Sequence, residues 1–436
     1  MTRFRQIVSK KVLMRLLLGL LLVQVISLLG LGLSWPRQPA EVPLAMVVPQ
    51  AEMPYWQTLV DAFEAENANI HIELTTGSYT PEQIEAIYSA DLQTSTPRYD
   101  LVYLDVTWLP GFASRGWLQD LTPQITAAAL SEFLGSEVEM SRYQKQLYRL
   151  PFRADIGVML VNQQLVAPVN LPTTFAALLQ VSRSLRQQRH WGYLWQGRAD
   201  ESLVANFVEV LDGFGGFWID PATQSVGLNQ PEAIRAIQFL RNTLVLEASP
   251  PTVIGYEEQT SFTQFQLGNT AFLRIWPQFW QQANAANSPL HNQVGLSATL
   301  ALPGRVRRAC RGGWGLAIAQ KTAHPEAAWQ AVDFFTSAAA QRQFSLASGY
   351  LPSRKALFAD AQLLAAYPHF RQLLEQLQTR SVFRPQIPEY EQASEILQTQ
   401  LWRVLVGDVS PEIAMQQAAE QTRSLLKHGV AYQRFE

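Results

Sequence analysis

Arg98-Tyr-Asp-Leu-Val-Tyr-Leu-Asp105-Val-Thr-Trp108-Leu-Pro-Gly-Phe-Ala-Ser-Arg-Gly-Trp117-Leu-Gln-Asp-Leu121 sets a short apolar run directly against an acid and then an indole. Leu101 to Leu104 has the pattern of a strand buried on both faces, and Asp105 ends it. Trp108 falls in the loop beyond, on the side of an open α/β sheet where ligands are met. Upstream, Leu44 to Val48 reads as a second buried strand. Trp56, Leu59, Val60 and Phe63 line one helical face, and Ile70, Ile72 and Leu74 alternate as a strand does. Downstream, Ile156 to Val161, Ala271 to Ile275 and Leu316 to Ala319 read as strands. Val204, Phe207, Val208 and Leu211 mark a helix that stops at Gly213, Gly215 and Gly216. Pro325 suits a first helical position, with Ala328, Ala331, Val332 and Phe335 as the apolar face behind it. The last stretch, to Glu436, is mostly helical by pattern. Strand and helix in alternation predict an α/β layer architecture with a largely parallel sheet.

The chain of 436 residues is long enough for two or three domains, and its hydrophobic content of 47% is ample for a large core. With 34 Lys and Arg against 36 Asp and Glu, the formal charge of −2 offers nothing to draw in a polyanion, so nucleic acid is not an expected partner. Cys310 is the sole cysteine, so no internal disulfide can form. The six histidines (His71, His190, His291, His324, His369 and His428) lie far apart, none at metal-ligand spacing. Neither a metal nor another cofactor is expected. At the amino end Arg3, Arg5, Lys10, Lys11 and Arg15 precede Leu16 to Trp35, which carries no charge. As a helix, that run would span ~30 Å, enough to cross a bilayer. Residues 1–42 therefore read as a signal peptide or membrane anchor with linker, leaving the chain from about residue 43 outside the membrane.

Six strings, in order, resemble family 1 extracellular solute-binding proteins of ABC importers, nearest the trehalose/maltose-binding branch. The opening stretch is the first. Leu150-Pro-Phe-Arg-Ala-Asp155 follows, then Trp195-Gln-Gly197 leading to Glu201, then Gly268-Asn-Thr-Ala-Phe-Leu-Arg-Ile-Trp276-Pro277. Gly312-Gly-Trp314-Gly-Leu-Ala-Ile318 with His324-Pro-Glu-Ala-Ala-Trp329 comes next, then Arg384-Pro385 with Gly407 to Pro411. The resemblance implies a two-lobed periplasmic-binding-protein fold of the type II, maltose-binding-like class, preceded by the signal or anchor helix. One lobe is expected over 43–154 plus 315–345 and the other over 158–312 plus 350–436. The crossings would lie near Asp155, Gly313 and Gly349, where glycine suits either a hinge or an ordinary turn.

A sugar presents hydroxyls all round and apolar C–H faces, so its site needs flat aromatic surfaces and side chains that fix several hydroxyls. The chain has twelve tryptophans. By the resemblance, Trp276 and Trp314 would stack on sugar rings, with Trp108 as a further candidate. Trp117 and Trp329 sit in apolar helical contexts that suit core packing. Charge-assisted hydrogen bonds favour carboxylates and guanidiniums for hydroxyl recognition, and Glu52, Asp105, Asp155 and Arg384 are the matching positions. Glu52 could instead cap the first helix, and Arg384 could be a surface or ion-pairing residue. Gln196, Glu201 and Gly313 are weaker candidates. Arg153 stands where the resembled branch often has an aromatic residue near the ligand.

The function this implies is capture of a disaccharide-sized sugar, such as trehalose, maltose, sucrose or a glucosyl-polyol, by a monomer that closes on it and docks on ABC permease subunits. An enzyme is not expected. A glycoside hydrolase would also use aromatic platforms and paired carboxylates, but no acid/base pair is fixed by sequence. G-x-S-x-G, H-E-x-x-H and a phosphate loop ending in GK[ST] are all absent. A membrane-tethered sugar sensor built on the same fold is the other alternative.

Overall fold

The computed structural model describes Met14, Arg15, residues 41–76 and residues 80–428. The apolar run Leu16–Trp35 lies outside them. Among the described residues no helix is long and apolar enough to cross a membrane.

The chain opens with β1 (Val42–Val48), α1 (Met53–Glu66), β2 (Ile70–Thr76), α2 (Pro81–Leu92) and β3 (Leu101–Asp105), and reaches β4 (Leu150–Ile156). β1 pairs with β2 in parallel from Val42↔Ile70. The four apolar residues of α1 at helical spacing are its four buried ones. A second run then folds: β5 (Val158–Asn162), α3 (Phe175–Gln187), β6 (Trp191–Leu194), α4 (Glu201–Phe214), α5 (Pro231–Val245), α6 (Glu258–Gln266), β7 (Thr270–Ile275) and β8 (Val294–Ser297). Its sheet has the order β8-β5-β7-β6. α4 ends where the pattern places it, on Gly215 at φ 92°. The remainder comprises β9 (Ala309–Ile318), α7 (Pro325–Phe335), α8 (Ala338–Ser348), β10 (Leu351–Pro352), α9 (Phe370–Thr379), β11 (Ser381–Val382), α10 (Tyr390–Leu405) and α11 (Pro411–His428).

Apolar side chains gather in two separate cores. One holds Leu44, Trp56, Phe63, Tyr88, Leu101, Phe152, Trp314, Leu316 and Phe335. The other holds Ile156, Leu160, Trp195, Phe207, Phe272, Trp276, Leu373 and Leu401. β4 and β9 contribute to both, antiparallel to each other from Arg311↔Ile156 to Leu316↔Leu150. β10 adds Leu351↔Ala154 on the far edge of β4.

Three expectations need correction. The sheets are mixed, not largely parallel: β9 runs antiparallel to β3 and β4, and β7 antiparallel to β5. Strands that pass between two cores run back against strands of the first, which forces antiparallel neighbours. Ile156 to Val161 is two strands, because Gly157 donates its N–H to the Cys310 carbonyl (3.0 Å) and breaks the run. A Cβ there would lie 1.8 Å from Glu209 Oε1. Leu316 to Ala319 is only the end of the ten-residue β9, whose start was hidden by Arg311 and the glycines at 312, 313 and 315. Gly315 abuts Leu150, where a Cβ would come 2.4 Å from the carbonyl oxygen.

Candidate ligand-binding site

Most of the side chains singled out by sequence gather where the two cores meet. Glu52 lies at the start of α1 and makes no capping hydrogen bond. Tyr103 Oη donates to its Oε2 at 2.9 Å, Arg153 Nη2 donates to its Oε1 at 3.0 Å, and Trp56 Nε1 reaches it at 3.4 Å. Capping is thus not its role. Arg153 also donates from Nε to Tyr103 Oη (2.9 Å) and pairs with Asp155. Its guanidinium carbon stands 4.2 Å from the Tyr350 ring centroid and 5.3 Å from that of Trp314. This arginine neutralises two buried acids at once, which a neutral aromatic could not do.

Asp155 is buried, and burial pushes its carboxyl up to about 7 although Arg153 pulls the other way. Among the described residues its Oδ1 has no hydrogen-bond partner. Gly312 is the register partner of Asp155. A Cβ on that glycine would lie 3.2 Å from the Asp155 Cβ and 3.5 Å from Trp276 Cη2, so the Trp276 ring edge comes up beside the aspartate. Trp276 Nε1 donates to Glu258 Oε1 at 2.5 Å, and Arg274 lies 4.4 Å from the ring centroid. Trp314 packs on Tyr103 at 4.8 Å and on Trp108 at 5.0 Å between centroids. The two indoles are 9% and 5% exposed, yet belong to different cores, Trp276 to the second and Trp314 to the first. Trp108 is buried in the first core behind Trp314.

Gly313 is the one strained glycine of the group. Its φ of +146° is one that side chains rarely adopt, and a Cβ would meet Glu137 Oε2 at 2.9 Å and the Arg153 carbonyl at 3.0 Å. Glu137 lies beneath it, fully buried between Arg149 and Arg311.

Asp105 accepts from Thr107 N at 3.0 Å and stands 3.6 Å from Arg384 Nη2. Arg384 is buried, so the surface alternative is corrected. Its Nη1 donates to Glu201 Oε1 (2.6 Å) and its Nη2 to the Arg311 carbonyl (3.2 Å), while Nε has no partner among the described residues. Glu201 also accepts from Tyr390 Oη and, at 2.5 Å, from Ser394 Oγ. Burial raises the Glu201 carboxyl, and Arg384 opposes the shift. Gln196, like Trp108, stands apart: it is fully buried, donating to Ser261 Oγ (2.8 Å) and the Arg274 carbonyl (2.9 Å). Trp117 and Trp329 are partly buried against the first core.

Sequence reasoning passed over Tyr103, Tyr350, Glu82 and Glu85. Glu82, on α2, accepts the Glu201 backbone N–H at 2.9 Å and so ties α2 to the start of α4. Glu85, one turn further along α2, is pushed up to about 9 by burial and by Glu391, Glu201, Asp105 and Glu82. The only signal was the short spacing of the two acids on one helical face.

The family model of the bacterial extracellular solute-binding protein matches residues 49–342. The chain belongs to this family. Its fold is the two-lobed, type II fold of maltose-binding-like proteins: maltose-bound MalE3 of T. maritima superposes with a TM-score of 0.83 at 27% identity, covering 88% of this chain and 100% of that one. Among curated relatives of this solute-binding protein, a probable ABC transporter-binding protein of Deinococcus radiodurans is 28% identical, over 76% of this chain and 80% of the relative. A maltotriose-binding protein of Pyrococcus abyssi is 25% identical, over 59% of this chain and 55% of the relative.

Proposed function

We propose that this solute-binding protein captures a small uncharged carbohydrate between its lobes and presents it to the membrane subunits of an ABC importer. The observation that carries the reading is a pair of orphaned polar atoms at the lobe junction. Asp155 Oδ1 and Arg384 Nε are buried without a partner among the described residues, at a junction where indoles come from opposite cores. A buried polar atom left unpaired costs about 1–3 kcal/mol. A sugar hydroxyl can donate to the aspartate and accept from the arginine, while the indoles cover its C–H faces. Negative groups stand opposite positive ones in this network, which suits a neutral, hydroxyl-rich guest. The maltose-bound structure supports a ligand of disaccharide size, and the relative named for maltotriose extends that to a trisaccharide.

On this reading the lobes comprise 43–154 plus 315–345 and 158–312 plus 350–436, crossed near Asp155, Gly313 and Gly349. Each lobe supplies part of the site, so the ligand gains its full set of contacts only when they shut and shifts the equilibrium toward the closed form. The protein works outside the cytoplasmic membrane, the basic and apolar amino terminus serving as export signal or tether. Capture with release suits a micromolar constant, about −8 kcal/mol.

The test is calorimetric titration of wild type with maltose, trehalose, sucrose and a glucosyl-polyol, repeated on Trp276→Ala and Trp314→Ala. At least one sugar should bind wild type, and each variant should lose about tenfold or more in affinity for it while still unfolding cooperatively. Unaltered affinity in both variants would remove the indoles from the site. No binding of any of the four to wild type would remove the disaccharide.

A further inference from the structure

The second lobe carries a cavity of about 430 Å³ that shares no residue with the junction. It opens between the turn at Pro168–Asn170, the edge strand β8 and helix α9. Two of its lining residues are arginines, Arg307 and Arg380. Arg380 gives one nitrogen to Glu375 at 3.1 Å, and this glutamate, on the rim, is the sole acid in the lining. Arg307 is partly buried and has neither an ion pair nor a hydrogen-bonding partner for its side chain among the described residues. The cavity thus holds two cations against one acid. Burial and the nearby Arg380 both work against the charge on Arg307, a cost that an anion between the two guanidiniums would relieve. The rest of the lining is mixed: Pro168, Leu171, Leu296 and Ala298 form an apolar patch, Thr173, Ser297, Gln372 and Gln376 are polar, and Val169 stands 89% exposed at the mouth.

A cationic end beside an apolar patch suits a small molecule with an anionic group on a short hydrocarbon. We propose that this cavity is a second binding site, for a small organic carboxylate held by Arg307 and Arg380 with its hydrocarbon part against Leu171 and Leu296. Guanidinium matches carboxylate geometry through paired N–H donors. The position also gives the site a route to the lobe junction. The Arg380 carbonyl accepts the N–H of Ala309 (3.0 Å) at the start of β9, and β11 pairs beside it. Those strands carry Arg311 and lead to Arg384, so an occupant would bear on the segments that place both arginines.

The experiment titrates the full chain with hexanoate, using hexanol and inorganic phosphate as probes that each hold half of the proposed chemistry. Hexanoate should bind with a constant of about a millimolar or better, and each comparison probe at least about tenfold more weakly. Arg307→Gln should weaken hexanoate about tenfold or more, whereas Trp276→Ala, in the other site, should leave it unchanged. If Arg307→Gln does not fold, Leu296→Glu serves instead, since it sets a carboxylate against the ligand's own. Absence of hexanoate binding, equal binding of hexanol or phosphate, indifference to both cavity variants, or loss in Trp276→Ala would each overturn the proposal. Because no sugar is used, the outcome is separate from that of the carbohydrate reading.

Discussion

Arg153 shows how much of a site a single residue can decide. It stands between Glu52 and Asp155, with side-chain exposures of 7%, 2% and 8% respectively. Removing one partner of a buried ion pair leaves an uncompensated charge and costs about 3–5 kcal/mol, and here two acids would be stranded. Arg153→Ala should therefore lower the unfolding free energy by at least about that much, measured by urea denaturation with an unaltered m-value. A loss below about 1 kcal/mol would mean that the acids find other partners or take up protons. The sequence marked Arg153 as a departure from the resembled pattern but not as an ion-pair centre. The reason is distance along the chain: Glu52 is 101 positions away and Tyr103 is 50. Asp105, Asp155 and Arg384 could be named as candidates from the strings around them, whereas Glu52 lies outside all six strings. Tyr103 sits in an apolar strand, where its hydroxyl gives no periodic signal.

Elements with a regular apolar rhythm were legible, and those shaped by backbone contact were not. α1 and β2 follow their patterns because one face of each meets a core. β9 does not, since its side chains switch from one core to the other and its glycines admit neighbouring chains. Gly313 is the sharpest case, combining a backbone angle closed to most side chains with Glu137 and a carbonyl at contact. Gly313→Ala should destabilise the protein by about 1–3 kcal/mol from the backbone angle alone. Steric shift of Glu137 should add to that, since this acid pairs with both Arg149 and Arg311. Gly304→Ala makes a fair control: its φ is also positive, at +79°, but nothing lies within 4 Å. Equal losses in the two variants would show that conformation alone, without the buried acid, sets the cost at Gly313.

Across the whole molecule, α2 adds further acids to the ion-paired network around Arg384, and on the proposed two-lobe closure this would make closing a proton-linked event. Glu85 on α2 faces Glu201 at the start of α4, Glu391 on α10, Asp105 at the end of β3 and Glu82 on its own helix; Arg384 is engaged by Asp105 and Glu201. On the proposed lobe boundaries Glu201 and Glu391 belong to the second lobe, so parting the lobes would remove them together with much of the burial. The Glu85 carboxyl, pushed up to about 9 in this structure, would then fall back toward 4.5. Between those values the closed form holds the extra proton, so raising the pH through that window favours the open form. Below about 4.5 both forms are protonated and the effect vanishes. Asp155, pushed up to about 7 from 3.8 by burial, acts in the same direction over its own window. Affinity for a ligand that binds only the closed form should accordingly fall as pH rises, toward a limit of about tenfold per unit for one proton. Glu85→Gln fixes a neutral side chain there, so it should bind more tightly than wild type at about pH 8 and show a shallower profile. An affinity for wild type that is flat or rising between about pH 5 and pH 9 would mean that the lobes shut without taking up that proton.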